Sequence, residues 1–557
     1  MAQYPLIGLP ASGDEYCPPD LPASSGKLAG DIDRFALASF DIAPMSPKLL
    51  RAEIPPFNSR GTMAMRSSLR SVSIVALSAL AVSPASAGRA RAQIPQAEYA
   101  ARRDSLAARI GDAVVVAFGG RTPVTDFGPF YQIPAFHYLT NFDEPDAAMV
   151  MVARGGKATT TFFLSPIDPR TAFYYGRRPD SASVERTLGV KARPFSALGT
   201  FVDSLASLTP APTFYTLADF GDADFARQDS LTRGQSFMKT RAAKHRLTVK
   251  DAHEIVDQLR AKKSPAELAL LRKAGEISAE GHRAAMLAPE PAHEYELQAV
   301  VEYTFARLGG ERPAYGSIVG AGANGTQLHY MKDRAPAKPG DLVVIDAATQ
   351  YEGYAADVTR TIPVSGTYTA DQKKLYQLVR DAQAAAERNS KPGMSAKAAS
   401  DSSIAVRAKG LVALGLAESE TATFDPPWKV NCTATPVACT QTYFWMIHGL
   451  GHGIGLAVHD PAQYYYGDKT FKEGDAFTIE PGIYVSQAML DALADTPKNR
   501  AFKAKVKDAV ARYQNTGVRI EDSYIITDKG LERVSNAPRE IDEIEALMKK
   551  RSTKVVP

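Results

Sequence analysis

The chain has 557 residues, of which 45% are hydrophobic and 23% charged, and its formal net charge is +4. These proportions are those of an ordinary folded protein of two or three domains, and they exclude a disordered or fibrous chain. The positive charge is spread along the whole length instead of being gathered in a basic block, so we expect no nucleic-acid partner.

An apolar segment near the N-terminus predicts export. Met65 opens MRSSLRSVSIVALSALAVSPASA, in which arginines precede an apolar run that ends in small residues. This order is typical of a secretory signal peptide, and the run is too short to span a membrane, although a buried apolar helix is an alternative. We expect 65–92 to be the signal peptide and 1–64 to be a disordered or non-native extension before a true start at Met63 or Met65. The mature protein would then be periplasmic or secreted, without stable membrane insertion.

Two of the three cysteines, Cys432 and Cys439, lie close together in NCTATPVACT. In an oxidising compartment this short loop can close as a disulfide, and in a reducing one it would hold two free thiols. Which of the two alternatives applies therefore depends on whether the protein is exported.

Strand and helix patterns divide the mature chain into two domains. An amphipathic helix pattern precedes AVVVAF, and the strand-like segments AAMVMVA and TTTFFL follow, which predicts an α/β domain over 95–260. Within it, His137 lies among aromatic residues, and we expect it to be packed instead of binding a ligand. Ser264 and Glu267 then form a capping box, typical of a helix start. We place a second domain at 264–545.

Four carboxylates lie in or at the ends of apolar strands of the second domain: Asp346, Asp357, Glu480 and Glu521. A charge at such a position is costly unless it is paired or bound to metal. If the strands around 351–352 form a hairpin, Asp346 and Asp357 face each other directly across it. A single carboxylate at a strand end is usually just solvated, but four in one domain balance the charge of two divalent cations.

The segment HGLGHGIGLAVHD, residues 448–460, spaces His448, His452 and His459 as on a helix face. The glycines between them disfavour a helix, because each costs about 0.8–1.0 kcal/mol relative to alanine. We therefore predict a glycine-rich loop or irregular strand whose backbone passes close to another group. The HExxH zinc pattern is absent, and a donor set rich in oxygen favours Mn²⁺ over a cysteine-type structural zinc.

Taken in order, VIDAATQYEGYAADVTRT, HGLGHGIGLAVHD, TIEPGIY and VRIED resemble the motifs of the proline-specific metallopeptidases of the pita-bread fold, the Xaa-Pro aminopeptidases and prolidases. YGSIVGAGANGTQLHY is a further matching element, and the resemblance covers about 95–545. It implies an α+β fold in which a C-terminal pita-bread catalytic domain follows a smaller α/β, creatinase-like N-terminal domain. It also implies a homo-oligomer.

The resemblance further implies two divalent metal ions, Mn²⁺ first, with Co²⁺ or Zn²⁺ as alternatives. Their implied ligands are Asp346, Asp357, His452, Glu480 and Glu521. Asp357 and Glu521 would bridge both ions, and Glu480 would transfer a proton from the water that the two cations activate.

Four further residues receive roles from the resemblance. His329 and His459 would stabilise the tetrahedral intermediate or shuttle the proton, on opposite sides of the scissile carbonyl. His448 would line the pocket for the proline of the substrate. Arg519 would lie near the metals and the substrate and offset carboxylate charge, the alternative being a surface arginine.

The implied activity is hydrolysis of the Xaa-Pro bond, with release of the N-terminal residue from peptides that have proline second. This bond is a tertiary amide without an N–H, so proteases that need that hydrogen bond cleave it poorly. The alternatives are an Xaa-Pro dipeptidase and, from another class, a non-catalytic pita-bread binding protein.

Two segments depart from the compact aminopeptidases of this family. Segment 424–445, FDPPWKVNCTATPVACTQTYFW, has no counterpart that we can place. Segment 486–516, SQAMLDALADTPKNRAFKAKVKDAVARYQNT, has a helical pattern and resembles the longer region of prolidases. We predict that both border the entrance to the site and limit the length of the peptide.

Overall fold

The computed structural model describes residues 94–122, 129–166, 168–218, 225–461 and 469–551. They belong to one compact unit, Ala85–Pro557. The predicted extension and the predicted signal peptide lie outside these described ranges. Within the ranges, none of the helices combines the length and the apolar character that crossing a membrane requires.

The N-terminal domain is built on one six-stranded mixed sheet, with strand order β4-β3-β2-β1-β5-β6. Its strands are β1 (Ala113–Phe118), β2 (Ala148–Arg154), β3 (Lys157–Leu164), β4 (Lys191–Pro194), β5 (Thr213–Thr216) and β6 (Val249–Asp251). The strands β1, β2 and β3 pair antiparallel, whereas β4, β5 and β6 join in parallel.

Helices cover both faces of this sheet. They are α1 (Gln96–Ile110), α2 (Pro134–Thr140), α3 (Pro169–Tyr175), α4 (Ser181–Leu188), α5 (Leu198–Ala206), α6 (Phe225–His245) and α7 (His253–Arg260), with a 3₁₀ turn at Phe195–Ala197. Successive residues of β1 point to opposite faces: Val115 packs in the same core as Leu106 of α1, and Val114 in the same core as Val202 of α5. Two covered faces explain why AVVVAF is apolar throughout.

His137 of α2 is packed, as predicted. Its Nδ1 lies 2.6 Å from Asp143 Oδ1, and its ring meets the ring of Tyr99 edge-on at 6.4 Å. The side chain is therefore held by a hydrogen bond and an aromatic neighbour within the N-terminal domain.

The second domain begins with the predicted capping box. Ser264 Oγ accepts from the backbone N of Glu267 at 3.2 Å, and Ser264 N donates to Glu267 Oε2 at 2.8 Å. The helices that follow are α8 (Pro265–Leu287), α9 (Glu294–Arg307), α10 (Ala370–Asn389), α11 (Ala396–Ala413), α12 (Gln487–Asp491), α13 (Pro497–Tyr513) and α14 (Ile541–Met548). Short 3₁₀ helices lie at Gly322–Thr326, Pro436–Cys439 and Tyr443–Trp445.

Small antiparallel sheets form the centre of this domain. Their strands are β7 (Arg312–Pro313), β8 (Ile318–Ala321), β9 (Leu342–Asp346), β10 (Thr349–Tyr351), β11 (Tyr354–Ala355), β12 (Thr359–Pro363), β13 (Ala476–Ile479), β14 (Gly482–Val485), β15 (Thr516–Arg519), β16 (Asp522–Thr527) and β17 (Gly530–Arg533). They are ordered β11-β10-β7, β12-β9-β8, β13-β16-β17 and β14-β15. Thr359 and Glu521 exchange backbone hydrogen bonds of 3.3 and 3.1 Å, which brings β12 beside the chain between β15 and β16.

The predicted pairing of Asp346 with Asp357 across a hairpin is wrong. The turn centres on Glu352 and Gly353, both with positive φ, and Asp346 pairs with Thr359. A two-residue hairpin turn with positive φ at both central positions strongly prefers glycine, which places the turn one residue later than predicted. Asp357 consequently lies two residues before the partner of Asp346.

Segments 424–445 and 486–516 both fold onto the second domain. Segment 486–516 forms α12 and α13, in agreement with its helical pattern. In segment 424–445, Cys432 and Cys439 are joined in a disulfide, the first of the two alternatives that the sequence left open.

Candidate metal centre and active site

Asp346 and Asp357 lie side by side although they are not cross-strand partners. Asp346 ends β9, Asp357 lies between β11 and β12, and both are buried. The hydroxyl of Tyr315 is within hydrogen-bond distance of Oδ1 of each carboxylate. The two acidic groups therefore share a donor and face the same space.

The segment 448–460 is an irregular loop, as predicted, and the structure identifies what its backbone approaches. His452 donates its backbone N–H to Thr478 Oγ1 at 3.1 Å and accepts from Thr478 N at 2.8 Å, so the loop lies along β13. A Cβ on Gly451 would lie 2.3 Å from Thr478 O, and one on Gly453 would lie 2.6 Å from Asp460 O. The glycines thus let the loop approach β13 and fold back on itself.

We expect Gly451→Ala to lower stability by about 1–3 kcal/mol, the usual cost of overpacking. The added methyl would push the loop away from β13, and His452 would move with it. Thermal unfolding should therefore show a lower midpoint, and titration should show weaker binding of Mn²⁺. Measuring the midpoint with and without chelator separates the packing effect from the metal effect. An unchanged midpoint and an unchanged Mn²⁺ affinity would contradict the expectation.

His452 stands at the centre of the acidic cluster. One ligating atom each of Asp357, His452 and Glu521 lie within 4.8 Å of one another. His452 Nε2 is 3.4 Å from Asp357 Oδ2 and 3.4 Å from Glu480 Oε1. With Asp346, which lies beside Asp357, these residues are the five that the resemblance implies as metal ligands.

The carboxylates of the cluster are buried and also repel one another. Burial first, and then neighbouring carboxylates, raise the pKa of Asp357 and raise that of Glu521 well above its usual range. Burial raises the pKa of Glu480 to about 7 despite the opposing charge of His452. Burial lowers the pKa of His452, but Asp357 and Glu480 outweigh it and bring the value to about 9. The protein itself therefore supplies too little positive charge for these acids.

The donor set fits divalent metal ions. Glu521 Oε2 accepts from Thr359 Oγ1 at 2.7 Å, whereas the buried Glu521 Oε1 has no hydrogen-bond partner among the described residues. A buried carboxylate oxygen without a partner is costly, and a bound cation would satisfy it. Carboxylates and one imidazole are ligands that such ions accept.

Arg519 is a buried residue of the site and not a surface arginine. Its Nη2 donates to Asp346 Oδ2 at 2.6 Å, and its Nη1 donates to the hydroxyl of Tyr484 at 2.8 Å. Burial would raise the pKa of Asp346, but Arg519 and Tyr315 outweigh it and hold the value below its usual range. Arg519 therefore offsets carboxylate charge, as predicted.

The remaining histidines surround the cluster. His448 Nε2 lies 2.9 Å from the Tyr484 hydroxyl, and His448 Nδ1 lies 3.8 Å from Glu480 Oε2. The ring of His459 meets the ring of His452 edge-on, with centroids 4.1 Å apart, and the charge of His452 together with burial lowers the pKa of His459 to about 3. Both rings thus lie beside the acidic cluster and not within it.

His329 lies at the exposed edge of the site. It follows the 3₁₀ helix Gly322–Thr326, and the preceding Leu328 O accepts from Arg519 Nη2 at 3.4 Å. The charges of Arg519 and Asp346 act on its ring. The structure therefore brings all nine predicted site residues to one place.

Two tyrosines of the site were not predicted. Tyr315 joins Asp346 to Asp357, and Tyr484 joins Arg519 to His448. Each stands in a motif that carries the family resemblance, at the start of YGSIVG and at the end of TIEPGIY. Their position beside the ligands was the available signal, but a tyrosine in an apolar strand otherwise indicates core packing.

The α+β fold and the buried carboxylate–histidine cluster together define a metallopeptidase of the pita-bread class, whose members act with divalent metal ions. Residues 269–528 match the model of metallopeptidase family M24, and residues 99–214 match that of the aminopeptidase P N-terminal domain. The fold class expected from the resemblance is thereby confirmed.

Named relatives are similar over most of the chain. It is 33% identical to the Xaa-Pro aminopeptidase of Haemophilus influenzae, over 75% of this chain and 89% of that protein. It is 30% identical to the Xaa-Pro aminopeptidase of Escherichia coli, over 82% of this chain and 98% of that protein. This chain belongs to the aminopeptidase P family.

Solved structures support the same family assignment. The proline aminopeptidase P II of Yersinia pestis has a TM-score of 0.67 at 30% identity, covering 82% of this chain and 100% of that one. The Escherichia coli aminopeptidase P with the inhibitor Pro-Leu has a TM-score of 0.67 at 29% identity, covering 82% and 99%. The similarity therefore extends over both domains of these proteins.

Proposed function

We propose that this protein is an Xaa-Pro aminopeptidase, a metal-dependent hydrolase that releases the N-terminal residue of peptides with proline second. The observation that carries the proposal is the complete site: Asp346, Asp357, His452, Glu480 and Glu521 form one buried cluster, with His329, His448 and His459 around it. The relatives named Xaa-Pro aminopeptidase support the same activity.

The five clustered residues would hold two divalent ions, and we propose Mn²⁺ because the donor set is mainly oxygen. Bound ions of this kind lower the pKa of water and polarise the scissile carbonyl. The protein contributes the arrangement of the ligands. Thr359 orients Glu521, and Arg519 orients Asp346, so that neither carboxylate can turn away from the cluster.

Glu480 would transfer the proton. Its Oε1 accepts from Thr478 Oγ1 at 3.2 Å, and its Oε2 points toward His448. Held in this way, the carboxylate can take a proton from the attacking water and return it to the departing proline nitrogen. That nitrogen carries no hydrogen in the substrate, so it must receive one as the bond breaks.

The three histidines around the cluster would bind the reacting peptide. His329 and His459 would donate to the carbonyl oxygen as negative charge develops on it. His448, fixed by the Tyr484 hydroxyl and by Gly449 O at 2.8 Å, would form part of the wall of the proline pocket. Substrate and water are thus placed between groups whose positions are set before binding.

We also propose that the protein is exported and is periplasmic or secreted. The signal-like segment from Met65 and the disulfide between Cys432 and Cys439 support this, because disulfides persist in oxidising compartments. N-terminal sequencing of the secreted protein tests it, and a mature N-terminus before Met63 would contradict the proposed start. A homo-oligomer is proposed from the family resemblance, and light scattering would measure it.

We expect the Mn²⁺-loaded protein to cleave Gly-Pro-Gly and to cleave the dipeptide Gly-Pro far more slowly. Chelation should abolish the cleavage, and added Mn²⁺ should restore it, as metal analysis and product chromatography would show. Gly-Ala-Gly is the control peptide and should remain intact. Cleavage of the dipeptide alone would favour the dipeptidase, and activity that survives chelation would contradict the metal mechanism.

A further inference from the structure

Segments 424–445 and 486–516 pack against each other as one body. The ring of Phe502 lies 6.0 Å from that of Phe424 and 5.6 Å from that of Phe444. Asp425 N donates to Asn499 Oδ1 at 2.8 Å, and Thr496 Oγ1 donates to Asp425 Oδ2 at 2.6 Å. Aromatic packing and partly buried hydrogen bonds therefore hold the two segments in a fixed relative position.

These two segments build a groove of about 480 Å³. The third wall comes from the loop that leads to His329. The larger apolar and aromatic side chains along the groove are Leu328, Phe444, Trp445, Ile447, Tyr484 and Met489.

The groove borders the active site, and the two share Tyr484. Leu328 directly precedes His329, and Ile447 directly precedes His448. The ring of Tyr484 lines the groove, while its hydroxyl contacts Arg519 and His448 inside the site. A peptide that places its proline against His448 would therefore direct its next residue past Tyr484 into the groove.

The chemistry of the walls selects what can bind there. Among the described residues that line the groove there is no charged side chain. The terminal carboxylate of a dipeptide would lose water there and meet no cationic side chain among these residues, which is costly. An apolar side chain would instead gain from leaving water.

We infer that this groove binds the apolar side chain of the residue after proline, so that among peptides with proline second those with a large apolar residue in third position are preferred. The inference rests on the proposed function and specifies its substrate class. Segments 424–445 and 486–516 would then determine specificity without contributing to the chemical step.

The test compares kcat/KM for Ala-Pro-Leu and Ala-Pro-Gly with the Mn²⁺-loaded protein. We expect the leucine peptide to be preferred about tenfold or more, because apolar pockets discriminate by about tenfold or more for each methylene. In Ala488→Trp, the exposed Ala488 of the groove is replaced by a side chain that fills it. That variant should lose the preference and still cleave Ala-Pro-Gly at the original rate.

Ala492→Trp is the matched control. Ala492 is also exposed, one turn further along the chain, and does not line the groove, so this variant should keep the preference. Equal kcat/KM for both peptides, or a preference that survives in Ala488→Trp, would overturn the inference and leave the proposed function standing. No cleavage of either peptide would overturn the proposed function together with the inference.

Discussion

Asp357→Asn is expected to remove metal binding and nearly all activity. Asp357 Oδ2 lies 3.4 Å from His452 Nε2, in the middle of the cluster, and asparagine has neither the charge nor the second oxygen of a bridging ligand. Loss of the several kcal/mol that metal ions contribute to such a transition state corresponds to a fall of about a thousandfold in kcat/KM. Elemental analysis and steady-state kinetics on the same preparation measure both effects.

A second expectation for Asp357→Asn concerns its stability. Burial and then the charge of Asp357 raise the pKa of Glu521, so removing that charge relieves repulsion in the metal-free protein. We expect the chelated variant to unfold at the same temperature as the chelated wild type or at a higher one, whereas Mn²⁺ should stabilise only the wild type. Asp371→Asn, at the first turn of α10 and remote from the site, is the control. Full metal content in Asp357→Asn would contradict the proposed ligand set.

Arg360→Met is expected to lower the free energy of unfolding by about 3–5 kcal/mol. The side chains of Arg360 and Asp522 are both 0% exposed, and their charged atoms lie 2.6 Å apart. Arg360 also donates to Glu521 O at 2.6 Å and to Pro538 O at 2.7 Å. Methionine would fill much of the space but would leave these buried acceptors without their donor.

Urea unfolding followed by tryptophan fluorescence measures this loss, because both tryptophans, Trp428 and Trp445, lie in the second domain. Arg272→Met is the matched control. Arg272 makes a bidentate pair with Glu532, but the two side chains are 42% and 37% exposed, so its loss should cost at most about 1 kcal/mol. Equal losses in the two variants would show that burial does not decide the strength of these pairs.

The candidate metal ligands could be recognised in the sequence because their positions violate an ordinary rule. Asp346 and Glu480 end apolar strands. Burying an acidic side chain there costs free energy unless the side chain is paired or bound to metal. The glycines around His452 likewise disfavour a helix, since glycine is among the poorest helix formers. These signals are local in the chain, so pattern alone was sufficient to detect them.

The hairpin shows where local pattern was insufficient. The acidic pair suggested a turn centred on 351–352, and the backbone instead turns at Glu352 and Gly353. A shift of one residue in a turn changes every cross-strand partner. Asp346 and Asp357 still lie close together, since the Tyr315 hydroxyl is within hydrogen-bond distance of both carboxylates.

The amino-acid sequence alone specifies the kinds of groups that do the chemistry, since the type and spacing of acids, histidines and glycines follow from it directly. Only the tertiary structure decides which of them touch. Tyr315 and Tyr484 enter the site, and segments 424–445 and 486–516 form one groove, through contacts between residues far apart in the chain. Such contacts depend on packing between distant elements, and no local periodicity encodes them.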